Sequence, residues 1–489
     1  MKMEFLVKYE SIPIQMKASF WFLICAFLQK GISVITTPIF TRIMTASEYG
    51  QYNVFNSWMS IITCFTTLNI YSGIFVQGLV KFENKRSVFV AAFQGLLFLL
   101  SSCWIMVYFF MHNKINSVMD ITTKQGVLML TIIWLNGVFQ LWAQEQRVLL
   151  RYKILVIITL FYSVFTPMLG ILLICISDDK VTAKILSVAI GAFISYFWQF
   201  IFHIRKAKCF YDREIWRYAL SLSIPLIPHY LSQMILNSSD RIMIKSMVGT
   251  RAAGIYSLAY SISLIMTIFN TSLLSTIEPW VYQKIKKNNT DDLAKIAYPS
   301  FILIASVNLV LIMFAPEIVR IFAPHEYLEA IFVIPPITMS VYFQFMYSFY
   351  AMFEFYFEKT RYITLATFVG AAINIITNYI FIAAWGYMAA GYTTLGCYMI
   401  YAIMHYCFML RICKKFLDGR KIYDIHIISI ISLIFLGMGL IFLITYRFLL
   451  IRYGIIIGII IVALFMRKKI KNLIEKFLIV SREKNERYN

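Results

Sequence analysis

Two side chains that could bind an anion stand at matching places in the sequence, each twelve residues before the tripeptide Arg-Ile-Met. Lys30 precedes Arg42-Ile43-Met44, and His229 precedes Arg241-Ile242-Met243. Both lie in apolar stretches, where an ammonium or imidazole could bind phosphate and where histidine could also exchange a proton. The shared spacing predicts that the two side chains occupy equivalent positions.

The repeat extends beyond these residues. Tyr49-Gly50-Gln51-Tyr52 is echoed by Ala253-Gly254-Ile255-Tyr256, and Lys81 by Lys284, at an offset that drifts from 199 to 204. Such a drift is typical of an old duplication with one short insertion. We therefore expect two similar halves, each with a polar residue deep in its first helix.

Composition places these elements in a membrane. Of the 489 residues, 60% are hydrophobic and 14% charged, and the mean hydropathy is +0.73. Too few polar residues remain to cover a soluble protein, so lipid must be the main solvent.

The eight cysteines include no Cys-x-x-Cys pattern, which argues against disulfide or zinc chemistry. The N-terminus is interpreted as entering an uncleaved first span.

Stretches of about 20 apolar residues predict fourteen membrane spans, with twelve as the fallback. The second is expected over about 53–78, and the last, over 449–466, is the weakest because it contains Arg452. Lys and Arg fall in alternate loops at about three to one, which predicts cytoplasmic termini and explains the net charge of +21 without nucleic acid. These basic loops would face anionic membrane lipid.

The predicted fold is all-α and polytopic, with two parallel six-helix repeats and an appended C-terminal helix pair. Residues 1–210 form the first expected lobe and residues 211–415 the second. Residues 416–489 form the helix pair and a basic cytoplasmic tail. No loop is long enough to fold as a catalytic domain, so the chemistry must lie within the helices.

Two segments resemble the signatures of a known family. One runs from Pro38 through Arg42-Ile43-Met44 to Tyr52, and the other runs from Ser239-Asp240-Arg241 through Lys245 to Ser257. They are similar to the first-loop and second-half signatures of the polysaccharide flippases of the MOP exporter superfamily. The resemblance covers roughly the first 415 residues.

This resemblance implies V-shaped, MATE-like lobes that flip an undecaprenyl-pyrophosphate-linked glycan across the bacterial inner membrane by alternating access. The expected pathway is O-antigen (lipopolysaccharide), capsule or exopolysaccharide biosynthesis. Membrane lipid is an expected partner, and a polysaccharide polymerase and a chain-length regulator are candidate protein partners. The protein is not expected to be an enzyme or to hold a cofactor or metal, although a proton or sodium gradient could drive it.

Lys30 is the main candidate for substrate binding. A lysine near the middle of a span costs about 2.5–3.5 kcal/mol on insertion scales, so it should face a watery cavity or a partner. The alternative is a lysine that snorkels to the surface or pairs structurally.

His229 follows Pro225 and Pro228, which should break the helix beside a cavity. Its alternative role is that of a hydrogen-bonded core residue.

The remaining polar candidates lie nearer the span ends. Arg42 and Arg241 are interpreted as interface anchors or as an outer gate, with Asp240 or Glu48 as counter-charges. Glu145 belongs to an inner gate or anchors its helix. Tyr342, Tyr347 and Tyr350 are candidates for stacking on sugar rings, although packing explains most aromatic runs.

Other functions remain open at this stage. A lipid II flippase also needs buried cations. A multidrug exporter would place acidic residues deep in the first span, where this chain has Lys30. A polysaccharide polymerase or ligase would need a sizeable exported loop.

Overall fold

Helices make up the secondary structure throughout the computed structural model, which describes residues 13–465. The predicted N-terminal charges and the basic C-terminal tail lie largely outside these residues. In chain order the α-helices are α1 (Ile14–Ile43), α2 (Ala46–Thr67), α3 (Gly73–Lys81), α4 (Arg86–Met119), α5 (Thr123–Val148), α6 (Tyr152–Ile176), α7 (Lys180–Ala207), α8 (Arg213–Ser223), α9 (Ile227–Met247), α10 (Thr250–Ser263), α11 (Met266–Lys286), α12 (Leu293–Met313), α13 (Ala315–Phe322), α14 (Ile334–Tyr356), α15 (Thr360–Trp385), α16 (Ala389–Phe416), α17 (Ile425–Thr445) and α18 (Leu449–Phe465).

The prediction of an all-α, multi-pass membrane protein is confirmed. Within residues 13–465, eleven helical segments are long and apolar enough to cross a membrane. A twelfth is added if the 3₁₀ turn His325–Phe332 and α14, bent by 48°, form one span. Two further predicted spans correspond to α2, which is rich in polar residues, and to α18, which has 17 residues.

Two compact units divide the described chain between Gly254 and Ile255. In the first unit, α7 packs against α5 and α6, α1 against α6, and α9 against α2. In the second unit, α14 packs against α12 and α16, and α15 against α16. The unit boundary lies beyond residue 210 because α9 packs on α2. The lobe boundaries at 210/211 and 415/416 stay predictions about the repeat.

Several spans are interrupted, and two of these breaks bear on the sequence predictions. The expected helix over 53–78 is broken because Leu68 and Asn69 adopt left-handed backbone conformations between α2 and α3. The predicted break near Pro225 and Pro228 is confirmed, since a 3₁₀ turn over Ile224–Leu226 separates α8 from α9. Pro225 and Pro228 favour this second break because proline lacks an N–H and restricts the residue before it.

The core of the second unit is built around α14, which is buried along most of its length. Phe345 and Phe349 pack against Phe301 of α12 with ring centroids 6.2 and 5.1 Å apart, in edge-on geometry. Such large aromatic surfaces supply much of the packing energy in a helix bundle. The aromatic run noted in the sequence is therefore in large part a packing core.

The short helix α18 is joined to the second unit by a buried cation. The Arg452 side chain is 1% exposed and pairs with Glu317 of α13. The Tyr453 hydroxyl donates to the same carboxylate at 2.8 Å. This pairing explains how an arginine fits into the weakest predicted span, because its charge is matched where the helix is buried.

Candidate translocation site

Lys30 lies on the exposed face of a sparsely covered helix. It stands near the middle of α1, a 30-residue helix. Only 11% of the most apolar part of α1 is buried, the lowest share among the candidate spans of the described chain. Because an ammonium is poorly tolerated in hydrocarbon, an exposed lysine at this depth must face water, lipid headgroups or a polar ligand.

His229 lies in the first turn of α9, directly after Pro228. Its ring is half-buried and lies 5.6 Å from the ring of Tyr230. α9 packs closely on α2, and α2 also contacts α1. One polar helix therefore contacts both helices that carry the matched residues Lys30 and His229.

Arg42 and Arg241 both bond to their own helices near the helix ends. The Arg42 guanidinium is exposed and donates to the Pro38 carbonyl at 2.8 Å, and that of Arg241 donates to the Asn237 carbonyl at 3.4 Å. Asp240, by contrast, is 2% exposed. The buried carboxylate and the two arginines carry charges that a gate could use.

Glu48 has a local structural role. Its carboxylate accepts from the Thr45 amide at 2.8 Å, while the Thr45 hydroxyl accepts from the Glu48 amide at 3.2 Å. This reciprocal capping box begins α2. Glu48 therefore fixes the point at which the first signature turns into α2.

The two signature segments meet where α2 and α10 begin. A methyl group on Gly50 would overlap the Thr250 carbonyl oxygen, and one on Gly254 would overlap the Ala46 carbonyl oxygen. The hydroxyls of Ser47 and Thr250 are 2.5 Å apart. The glycines matched by the repeat thus form one close backbone contact, which only residues without a β-carbon permit.

Glu145 lies in a buried polar cluster rather than at a solvated helix end. Its Oε2 is 3.0 Å from His203 Nε2 and accepts from the side-chain amide of Gln146 at 3.3 Å. Gln94 Nε2 lies 3.4 Å from the other ring nitrogen of His203. The cluster joins α4, α5 and α7 inside the first unit.

A second carboxylate–imidazole pair lies in the second unit. Glu354 Oε1 of α14 and His405 Nδ1 of α16 are 2.7 Å apart, and both side chains are fully buried. Sequence reasoning missed His203 and His405. Their separation of 202 positions falls within the repeat offset and could have revealed them.

The three tyrosines proposed for sugar stacking lie within the packing around α14. Tyr342 is fully buried and its hydroxyl is 3.1 Å from that of Ser432. Tyr350 is 1% exposed and packs on Tyr423. Tyr347 is half-buried, which leaves part of its ring accessible. Sugar contact stays a prediction for all three, with Tyr347 the most accessible in this conformation.

Lys184 of α7 is a further buried cation that the sequence did not single out. Its Nζ lies 3.8 Å from the ring centroid of Phe40, 4.0 Å from that of Tyr52 and 5.1 Å from that of Tyr49. Aromatic faces attract ammonium groups, most strongly when both are desolvated. This cage holds the first signature against α7.

Comparison with known families bears on what such a membrane bundle does. The sequence model of the family described as "Polysaccharide biosynthesis protein" matches residues 16–283, more than half of the chain. The chain belongs to this family. A second family model, described as "MatE", matches residues 225–380. The predicted membership of the polysaccharide flippases of the MOP superfamily is confirmed.

Individual relatives are distant. The chain is 21% identical over 302 residues to "Lsg locus putative protein 1" of Haemophilus influenzae, a match that covers 59% of this chain and 71% of that protein. Among solved structures, lipid II flippase MurJ in an inward closed conformation gives a TM-score of 0.69 at 16% identity, over 91% of this chain and 99% of that one.

An inward-facing multidrug resistance MATE transporter gives a TM-score of 0.59 at 13% identity, over 79% of this chain and 95% of that one. At such identities the likeness shows the fold, which is that of MOP-superfamily flippases and transporters. The two solved structures are named as a flippase and a transporter.

Proposed function

We propose that this protein flips a lipid-pyrophosphate-linked oligosaccharide repeat unit across the bacterial inner membrane by alternating access. The product would feed the synthesis of O-antigen, capsule or exopolysaccharide. Undecaprenyl pyrophosphate is the proposed lipid carrier, and both termini are proposed to be cytoplasmic. The family match supports the polysaccharide pathway, and the residue chemistry supports an anionic lipid-linked substrate.

Lys30 is the observation that carries this proposal. An exposed ammonium near the middle of the least buried span suits a pyrophosphate, which must be neutralised while it crosses the apolar layer. His229 is the proposed second contact, since it is half-buried beside a helix break. Arg42, Arg241 and Asp240 are proposed for the outer gate, and Glu145 for the control of the inner end.

The decisive experiment is a deletion strain complemented with variants. Loss of the gene should make undecaprenyl-linked repeat units accumulate on the inner leaflet, measured by extraction and mass spectrometry. Lys30→Ala should fail to restore surface polysaccharide at normal membrane levels, because the phosphate loses its cation, whereas Lys30→Arg should retain part of the activity. Lys114→Ala, an exposed lysine on α4, is the matched control. Full export by Lys30→Ala would overturn the assigned role.

Lipid II is the second candidate substrate, favoured by the structural likeness to MurJ over 99% of that chain. It carries the same lipid pyrophosphate, so Lys30 would serve either molecule. The deletion strain distinguishes them, because accumulation of lipid II with arrested cell-wall growth would reject the polysaccharide substrate. Neighbouring glycosyltransferase and polymerase genes would favour the repeat unit, and cell-division genes would favour lipid II.

A further inference from the structure

We infer that the two buried carboxylate–imidazole pairs, Glu145–His203 and Glu354–His405, are proton-binding sites, one in each compact unit. Proton binding by the pairs does not depend on the transported molecule. The second half of the inference, that proton binding is coupled to transport, rests on the proposed function.

The recurrence of the pair is the first observation. In each unit, a glutamate near the end of one long helix pairs with a histidine of another helix. The helices are α5 and α7 in the first unit and α14 and α16 in the second. In the predicted repeat these are the fourth and sixth helices of each half. The histidines are 202 positions apart, within the offset of the other repeated residues. The glutamates are 209 positions apart, outside that range, so the repeat matches the histidines while each glutamate comes from the fourth helix of its half. The recurrence of the same pairing between the same two helices of each half favours a shared role over independent packing.

The surroundings of the pairs are the second observation. Glu354 Oε2 and His405 Nε2 have no hydrogen-bond partner within the part of the chain that the structure describes, although both side chains are fully buried. The His405 ring stacks on Tyr347 at 5.2 Å and meets the edge of Tyr401 at 4.6 Å. The fully buried pair therefore keeps one carboxylate oxygen and one ring nitrogen that no described residue bonds.

Charge balance links these pairs to conformation. With one shared proton, each pair has no net charge. The proton either lies on the imidazole, which makes an ion pair with the carboxylate, or lies on the carboxyl group beside a neutral imidazole. Losing that proton leaves one buried negative charge, and gaining another leaves one buried positive charge, so both are disfavoured in dry packing. Exchange requires water at the pair, where an N–H or O–H bond breaks and the proton passes to water.

It follows that a conformation that admits water binds and releases the proton, and one that excludes water retains it. By reciprocity, proton concentration then biases the equilibrium between the two conformations. The predicted orientation puts both pairs towards the cytoplasmic ends of their helices. The proton would therefore exchange with the cytoplasm when that end of a unit opens.

The groups in contact with the imidazoles are the neutral Gln94 of α4 at His203 and the Tyr347 and Tyr401 rings at His405. The elements packed against the pairs carry further ionisable groups, which the controls must take into account. On the elements of the first pair these are Arg147, Arg151, Lys153 and Lys206, and on those of the second pair Tyr282, Tyr298, Glu358, Lys359, Tyr362 and Tyr423. Each imidazole is hydrogen-bonded to its glutamate, and that of His203 also to Gln94.

The test of proton binding uses the purified full-length protein in lipid nanodiscs with ¹⁵N-labelled histidine. The chain has six histidines, and His203→Gln and His405→Gln identify the two relevant signals. Across about pH 5–8 we expect the protonation midpoint of His405 to move in Glu354→Gln, and that of His203 in Glu145→Gln. Glu358→Gln, an exposed neighbour on the same chain segment, should move neither. Midpoints unchanged from wild type in the paired variants would overturn the proton sites.

Removing one partner of a buried pair could unfold the protein, so a second variant keeps the hydrogen bond. Glu354→Gln/His405→Gln replaces the pair with two amides that can bond to each other without titrating. In proteoliposomes or complemented cells, this variant should weaken the dependence of export on a pH gradient, because only the Glu145–His203 pair still titrates, whereas the exposed His426→Gln should leave the dependence unchanged. An unaltered gradient dependence would overturn the coupling. Absence of export in wild type itself would reject the proposed function while the histidine titrations still decide proton binding.

Discussion

Lys184 illustrates at the residue scale how a cation can be buried in this protein by aromatic faces. Its ammonium lies within about 4 Å of the Phe40 and Tyr52 ring centroids, and the side chain is 6% exposed. An ammonium removed from water loses hydration that only nearby electron-rich groups can replace. The rings therefore stabilise α7 against the first signature through the charge as well as through packing.

We expect Tyr52→Leu to lower the melting temperature by more than the loss of ring packing alone would. The additional loss comes from the cation–π contact, which contributes about 0.5–2 kcal/mol. Lys184→Met keeps the apolar stem and removes the charge. Tyr52→Leu should therefore cost less in the Lys184→Met background than in wild type. Thermal unfolding of the four proteins in detergent measures this double-mutant cycle. Additive effects would show that the rings do not stabilise the charge.

The candidate site was only partly predictable from single residues. The position of Lys30 near mid-span follows from hydropathy and spacing, and the structure places it on an exposed helix face. The environment of Glu145 was not predicted, because its partner His203 lies 58 positions away on another helix and only the repeat offset of the histidines pointed to it. Local spacing specifies which residues share a helix, but the pairing of distant helices depends on packing.

At the scale of elements, the contact between α2 and α10 depends on two glycines. Gly50 and Gly254 allow backbone atoms to approach each other directly, and Ser47 and Thr250 bond beside them. Small residues favour such close helix contacts in membranes, where dispersion and hydrogen bonds rather than hydrophobicity hold helices together. The repeated sequence therefore encodes a contact between its own two copies.

Gly50→Ala should weaken this contact, because its new methyl group would overlap the Thr250 carbonyl oxygen. In a Ser47→Cys/Thr250→Cys protein we expect efficient oxidative cross-linking, and the added Gly50→Ala should reduce it. Gly31→Ala is the matched control, since no atom lies within 4 Å of the position its methyl group would take. Equal cross-linking with Gly50→Ala, measured by peptide mass spectrometry, would contradict the close contact.

Element boundaries were predictable where backbone chemistry dictates them. Pro225 and Pro228 predicted the break between α8 and α9, which the structure contains. The break between α2 and α3 was missed because Leu68 and Asn69 carry no strong turn signal in an apolar run. Their left-handed conformations are imposed by the surrounding packing rather than by glycine.

At the scale of the whole molecule, charge distribution rather than packing predicts the orientation. The packing of helices within the two compact units does not distinguish one direction across a bilayer from the other. The basic loop at 205–217 and its counterparts supply the asymmetry, because Lys and Arg are retained on the cytoplasmic side during insertion.

We therefore expect the 205–217 loop to be cytoplasmic and the loop at 177–179 to be external. In a background without the other cysteines, a membrane-impermeant thiol reagent should label Asp178→Cys in intact cells. It should label Cys209, the native residue of the basic loop, after the membrane is permeabilised. Both positions are at least partly exposed on the protein. The opposite labelling pattern would reverse the proposed topology.

The buried arginine of α18 sets an order of assembly during synthesis. A 17-residue helix with Arg452 at its start is a poor substrate for insertion by itself, and its counter-charge Glu317 is made 135 residues earlier. Insertion of α18 should therefore depend on α13 already being in place. In a glycosylation-mapped insertion assay, Glu317→Ala should lower the inserted fraction of α18, so α18 reports whether the second unit has been built correctly.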